Sequence, residues 1–224
     1  MKNLAFVIIL FIGFSVFSQE KTTVETTNFS EIKVFDAITV NLIQSDENKV
    51  IIFGEDKDKV SVVNNNGKLK IRMQLEKLHN GKNTHVDIYY SKVLELIDAN
   101  EGAFISSNDV IKQTHVDLRA QEGGEINLEV DVKKLDLRAV TGGKINVKGS
   151  AVNQEANIST GGEYKAEELI NEQAKINITT GGFAYVNTSE YIEAKVKMGG
   201  TIKIYGNTKV IEKTTFLGGI IMEM

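Results

Sequence analysis

Charged side chains recur at matching positions in the second half of the chain. Asp117 and Asp136 are 19 residues apart, and so are Arg119 and Arg138. If equivalent positions lie side by side in the fold, two carboxylates about 5 Å apart could act as the acid pair that cleaves a glycosidic bond. At the positions equivalent to Asp117 and Asp136, later repeats have Glu155, Lys175, Glu193 and Glu212. At the positions equivalent to Arg119 and Arg138, they have Asn157, Asn177 and Lys195.

This pattern is open to three interpretations. A solvated charge ladder is favoured, because basic and amide residues stand two positions from each acid. The alternatives are a catalytic carboxylate pair and a contact surface for a glycan or peptide. The contact surface would be built from a polar ladder of four residues, Asp117, Arg119, Asp136 and Arg138.

Other residue types exclude most other active sites. The chain has no cysteine, which excludes thiolate metal sites and cysteine nucleophiles. The three histidines, His79, His85 and His115, do not stand at metal-ligand spacing. The sequence also lacks a nucleophile elbow, a phosphate loop, a dinucleotide fingerprint and a calcium-binding Gly-Gly-x-Gly-x-Asp repeat. We therefore expect no catalytic residue, no cofactor and no metal.

Glycine pairs divide the second half of the chain into units of about 19 residues. Twelve of the 19 glycines form six Gly-Gly pairs, and successive pairs are 19, 19, 20, 18 and 19 residues apart. This period is too short for helical-hairpin repeats and suits one coil of a β-solenoid. The second members of the pairs are Gly124, Gly143, Gly162, Gly182, Gly200 and Gly219.

Apolar residues alternate with polar ones on both sides of each pair, which predicts strands rather than helices. In stacked coils these apolar stripes would face inward and the glycines would form the corners. Two positions after the second glycine stand Ile126, Ile145, Tyr164, Ala184, Ile202 and Ile221, and eight positions before it stand Val116, Leu135, Gln154, Ala174, Ile192 and Ile211.

The earlier part of the chain alternates without repeating. Its strongest local signal is Asn66-Gly67, which predicts a hairpin. We expect residues 19–99 to form an irregular β layer that caps the solenoid and is continuous with it, and residues 100–224 to form the Gly-Gly repeat coils.

Residues 1–18 have the layout of a secretory signal peptide, with Lys2 as the basic start and Val16 and Ser18 at the cleavage-type positions. The apolar stretch 4–17 is shorter than the ~20 residues that span a bilayer. We expect cleavage to leave an exported chain without a transmembrane segment, located in the periplasm or at the cell surface. The formal net charge of −4, with mixed signs, predicts no nucleic-acid partner.

Short motifs resemble a known family of exported proteins. The units Gly124-Glu125-Ile126-Asn127 and Gly143-Lys144-Ile145-Asn146, preceded by Phe29-Ser30-Glu31-Ile32 and by residues 40–44, resemble the putative auto-transporter adhesin family called the head GIN domain, which occurs in Bacteroidetes-type bacteria. The resemblance implies a right-handed parallel β-helix, a role in adhesion and no catalytic residue. Residues 162–165 and 182–185 depart from the family's Gly-x-Ile-Asn pattern.

We therefore predict a non-enzymatic binding or adhesion module that presents β-helix faces to a glycan or an envelope protein. The alternatives are a carbohydrate-active lyase or hydrolase and a structural component of the envelope. The apolar end Ile220–Met224 predicts either that copies of the chain associate through the C-terminal coil or that a loop covers this coil.

Overall fold

A computed structural model describes residues 21–75 and 81–224. The predicted signal peptide and His79 lie outside these residues. The described chain is mainly β, with a single-turn 3₁₀ helix at Lys57–Lys59, and no helix in it is long and apolar enough to cross a bilayer. The strands are β1 (Lys21–Glu25), β2 (Glu31–Val34), β3 (Thr39–Gln44), β4 (Lys49–Phe53), β5 (Val60–Asn65), β6 (Lys68–Met73), β7 (His85–Tyr90), β8 (Leu96–Ala99), β9 (Phe104–Ser107), β10 (Ile111–Gln121), β11 (Glu125–Val140), β12 (Lys144–Ser159), β13 (Gly162–Thr180), β14 (Gly182–Met198), β15 (Thr201–Tyr205), β16 (Val210–Leu217) and β17 (Ile220–Glu223).

The strands stack as parallel coils of about 19 residues, which form a β-solenoid of about 7 turns. We name the faces of the solenoid by the segments of one coil. Residues 117–120 lie on face A, before a Gly-Gly corner. Residues 125–128 lie on face B, after that corner, and residues 130–132 lie on face C. Equivalent residues of β11 and β12 pair without a shift in register, so inward-facing residues stack on inward-facing ones; most are apolar, and Gln154, beside Leu135, is an exception. The predicted fold class is confirmed. The buried column on face B contains Ile126, Ile145, Tyr164, Ala184 and Ile202.

The corner between faces A and B is a mirror-image β-turn, in which the two glycines have different roles. Glu122 and Gly123 both have positive φ, 54° and 75°, and Gly124 N–H donates to the Gln121 carbonyl over 2.9 Å. This is the type I′ geometry that joins twisted strands closely. A Cβ on Gly124 would lie 2.2 Å from the Ala99 carbonyl oxygen of the preceding coil. The first glycine therefore allows the turn, and the second allows the coils to approach.

The segment before the repeats contributes coils whose order in the stack differs from their order along the chain. β2 pairs in parallel with both β6 and β8, and β3 pairs in parallel with both β7 and β9. The coil β2–β3 consequently lies between the coils β6–β7 and β8–β9. Since β8 pairs with β10 and β9 with β11, these segments continue the stack of the repeat coils.

Antiparallel strands cover the end of the stack formed by β6 and β7. β4 pairs with β7 and β1 with β4, both antiparallel, while β5 forms a hairpin with β6. The hairpin turn is Asn66-Gly67, where both residues have positive φ. The hairpin predicted from this dipeptide is confirmed. These strands satisfy backbone groups that an open parallel edge would leave unpaired.

The other end of the described stack has charges at core-facing positions. Lys213 pairs in register with the buried Ala194, and Glu223 pairs with the buried Ile204. Lys213 and Glu223 form an ion pair with each other. The two core columns that contain Ala194 and Ile204 therefore end in a charged pair. Exposed apolar side chains of this last coil are Val210, Phe216, Leu217, Ile220, Met222 and Met224.

Replacing Lys213 and Glu223 together by leucine should increase self-association, because an uncharged apolar end of the core would then face water. Light scattering coupled to size-exclusion chromatography should show the mass rising with concentration, towards that of a dimer. The control replaces Lys209 and Glu190, an exposed ion pair of 2.8 Å on the side of the solenoid, by leucine. An equal rise in both variants would contradict an effect specific to the core positions.

Candidate functional site

The polar ladder predicted from the sequence lies on the outer side of face A. β10 and β11 pair so that Asp117 is beside Asp136 and Arg119 is beside Arg138. The parallel register thus brings the four predicted residues together. They line a shallow depression of about 310 Å³, which Lys134 also lines.

Both carboxylates of the ladder are held by cations. Arg119 donates to Asp117 Oδ2 from Nη2 over 2.6 Å and from Nε over 3.1 Å. Lys134 Nζ and His115 Nε2 each lie 2.8 Å from Asp136 Oδ2. All five side chains are partly exposed. The arrangement is therefore a network of ion pairs on the surface of face A.

The charges of this network favour the ionised form of the Asp136 carboxyl. Burial alone would raise the pKa of Asp136, but the hydrogen bonds and charges of Lys134 and His115 outweigh burial and lower that pKa. The hydrogen bond to Asp117 raises the pKa of the Arg119 guanidinium. A general acid for glycoside cleavage needs a raised carboxyl pKa, whereas the pKa of Asp136 is lowered.

The stabilising effect of Asp136 should disappear in acid. A carboxyl whose folded-state pKa is lowered contributes stability above its unfolded-state pKa of about 3.9 and loses that contribution as the pH falls through the folded-state value. Asp136→Asn should therefore lower the urea midpoint at about pH 6, and the difference from the parent should shrink as the pH falls through the folded-state pKa of Asp136. Asp131→Asn is the control, because Asp131 accepts a hydrogen bond of 3.0 Å from the Ser150 hydroxyl rather than from a cation. A difference for Asp136→Asn that persists unchanged into acid would contradict this assignment.

The histidines of the described chain lie apart from one another. His85 begins β7 and pairs in register with Thr39 on face B, whereas His115 joins the ion pairs of face A. In residues 21–75 and 81–224 no cluster of three or more histidine or acidic side chains is arranged to hold a metal ion. The contact of His115 with Asp136 was not predicted, because these residues belong to different positions of the repeat.

A larger groove lies on face B, near the edge where face B meets face C. Its volume is about 760 Å³, and it crosses the coils of β9, β11, β12 and β13. Asn127 and Asn146 line it on adjacent coils. Its other lining side chains include Phe104, Ser106, Glu129, Lys148, Lys165 and Glu167.

A bulge in β13 builds one wall of this groove. Ala166 pairs with Val186, but the next pair is Ile170 with Asn187, so β13 carries additional residues here. Glu167 belongs to the additional segment, and its carbonyl accepts a hydrogen bond of 3.0 Å from Asn187 Nδ2. The wall is thus held by the adjacent coil.

This groove was not predicted from the sequence. The feature of the sequence that could have indicated the groove is the asparagine of the Gly-x-Ile-Asn units, because it places Asn127 and Asn146 at the same outward position. No motif marks the bulge in the sequence, because its additional residues appear there only as a change in the spacing of the repeat.

Comparison with known proteins identifies relatives at the level of family and fold. The family described as "Putative auto-transporter adhesin, head GIN domain" matches residues 28–208. Among curated proteins none matches the sequence. The crystal structure of a putative adhesin from Bacteroides fragilis NCTC 9343 superimposes with a TM-score of 0.83 at 18 % identity, covering 93 % of this chain and 98 % of that chain.

Two further crystal structures share the fold. A putative adhesin from Parabacteroides merdae ATCC 43184 has a TM-score of 0.71 at 20 % identity, with 93 % of this chain and 97 % of that chain covered. A protein from Parabacteroides distasonis ATCC 8503, described as a putative lipid binding protein, has a TM-score of 0.69 at 19 % identity, with 93 % and 98 % covered. At these identities the similarity establishes a common fold.

Proposed function

Because the chain belongs to the putative auto-transporter adhesin, head GIN domain family, we propose that it is a non-enzymatic binding or adhesion module exported to the cell envelope. In this role the side faces of the solenoid contact a glycan or a protein. The adhesin-type family supports export, to the periplasm or to the cell surface. The long, regular faces support a contact role, because they repeat polar groups in register over several coils.

The main support for this proposal is that both ladder carboxylates are paired with cations. Asp117 and Asp136 lie on adjacent strands, the arrangement that an acid pair would require. Each is bound by a cation, and the pKa of Asp136 is lowered rather than raised. Ionised, paired carboxylates are poorly suited to proton donation to a leaving group, which supports a non-enzymatic role.

Binding to envelope material tests the proposal. The purified chain, without residues 1–18, is titrated onto immobilised envelope fractions that are untreated, treated with protease or oxidised with periodate. We expect saturable binding to the untreated fraction. Loss after periodate would identify a glycan target, and loss after protease would identify a protein target. Absence of saturable binding to every fraction would contradict the proposal.

A catalytic assay tests the non-enzymatic part separately. Polyuronates and neutral polysaccharides are incubated with the chain, and reducing ends and unsaturated products are measured. We expect no release above the level of a heat-unfolded sample. Release that is lost in Asp117→Asn or Asp136→Asn would overturn the non-enzymatic assignment in favour of a carbohydrate-active enzyme.

A further inference from the structure

The groove on face B offers paired hydrogen-bond donors and acceptors. Asn146 Nδ2 donates to Asn127 Oδ1 and, over 3.3 Å, to Glu125 Oε1. Asn127 Nδ2 also donates to Glu125 Oε1, over 3.3 Å. These contacts orient two amides side by side along the solenoid axis. These contacts use both N–H groups of Asn146 and one of Asn127, so the second Asn127 N–H and the Asn146 oxygen are left to donate to and accept from hydroxyl groups.

The charges around the groove favour an uncharged ligand. Lys148 is paired with Glu129 over 3.1 Å, and Lys165 is paired with Glu163 over 3.1 Å. The bulge adds the carboxylate of Glu167 to the lining. An anionic polymer would meet carboxylates beside cations that are already paired, so electrostatic complementarity for it is poor.

An aromatic side chain extends the groove at its end on β9. Phe104 is partly exposed and lines the groove. Its ring supplies apolar surface of the kind that packs against the C–H groups of a sugar ring. An apolar surface beside convergent polar groups is the usual composition of a small-molecule binding site.

The dimensions of the groove favour a linear ligand. Its lining crosses four adjacent coils, which at about 4.8 Å per coil spans roughly 14 Å along the axis. The wall is preformed, because Asn187 holds Glu167 and Asn171 Nδ2 donates to the Asn187 carbonyl over 2.6 Å. A preformed wall lowers the ordering cost of binding.

We propose that this groove binds a neutral linear glycan, which lies along the solenoid axis over Asn127 and Asn146 with one sugar ring against Phe104. The proposal rests on the proposed binding function and specifies its site and the class of its ligand. The polar ladder of face A has no part in this contact.

Isothermal titration calorimetry with defined oligosaccharides tests the proposal. The neutral probes are cellohexaose, xylohexaose, mannohexaose and N-acetylchitohexaose, and the anionic probe is a hexamer of galacturonic acid. We expect saturable binding of at least one neutral probe and at least tenfold weaker binding of the anionic one. Failure of all neutral probes to bind at millimolar concentration, or tighter binding of the galacturonate hexamer, would overturn the proposal.

Two matched double variants locate the site. Asn127→Ala with Asn146→Ala removes the amides of the groove and should weaken binding of the neutral probe at least tenfold. Asn157→Ala with Asn177→Ala removes the amide pair of face A, whose side chains are 3.5 Å apart, and should leave binding unchanged. Circular dichroism confirms that both variants are folded. Weakening only in the face A variant, or in neither, would overturn the location.

The two proposals fail in different ways. If the oligosaccharides do not bind but the chain still binds envelope fractions saturably, the binding function stands and the glycan groove is wrong. If neither binds, both proposals are wrong.

Discussion

Gly143→Ala should destabilise the protein by about 3 kcal/mol or more, whereas Gly142→Ala should cost only about 1 kcal/mol. The two glycines are neighbours in one corner. A Cβ on Gly143 would lie 2.1 Å from the Ala120 carbonyl oxygen of the preceding coil, so the backbones of two coils would have to separate. Gly142 has a φ of 73° and open space around its Cβ position. Alanine there loses only the free energy that a residue with a Cβ needs to adopt the left-handed conformation. Thr141 already adopts that conformation, with a φ of 51°.

Urea unfolding of the two variants, followed by circular dichroism, measures the difference. We expect Gly143→Ala to have much the lower midpoint, or to be unfolded in the absence of urea. In the second case the Gly142→Ala variant, folded and close to the parent, still provides the comparison. Equal losses in the two variants would show that the close approach of the coils does not limit stability at this corner.

Tyr164→Ala should cost about 3–5 kcal/mol, because it removes the largest fully buried side chain and leaves a cavity between coils. The Tyr164 hydroxyl donates to Gln154 Oε1 over 2.6 Å, and both residues are buried. Burial raises the pKa of the Tyr164 hydroxyl, so the group stays a neutral donor at ordinary pH. Tyr164→Phe keeps the ring but leaves the Gln154 oxygen without this donor, which should cost about 1–3 kcal/mol.

A double-mutant cycle separates packing from the hydrogen bond. Gln154→Leu combined with Tyr164→Phe should be more stable than the sum of the single effects predicts, because no polar atom of the pair remains buried. The measurement is again the free energy of unfolding in urea. Additive single effects, or a Tyr164→Phe variant as stable as the parent, would contradict a contribution from this hydrogen bond.

The repeat allowed much of the fold to be predicted from the sequence. A corner glycine and the alternation of residues on either side are local properties, so Gly143 with Ile145, or Asn66 with Gly67, predicts a turn and strands without knowledge of the partners. Once the coils stack at a constant period, residues one period apart must be neighbours. For this reason the polar ladder, including Asp117 and Asp136, could be assembled before the structure was known, as the pairing of β10 with β11 confirms.

The ion-pair partners within the ladder were harder to predict. The sequence placed Arg119 two positions from Asp117 but did not indicate that His115 reaches Asp136 on the next coil. Such contacts depend on side-chain direction across the sheet, which the repeat period leaves open.

What the sequence determined by itself is the coil: its length, its corners and which side chains face inward, because all three follow from local backbone preference and period-2 burial. Only the tertiary structure decided the features that join distant or irregular segments. The coil β2–β3 lies between β6–β7 and β8–β9, so that Lys33 pairs with Asp98, 65 positions later. Gln154 and Tyr164, which each interrupt an apolar column, meet across the core, and the bulge at Glu167 shapes the groove over Asn127 and Asn146. Local alternation specifies the face a residue occupies but not which coil lies above it. The choice of neighbouring coil is made by packing and register between whole coils.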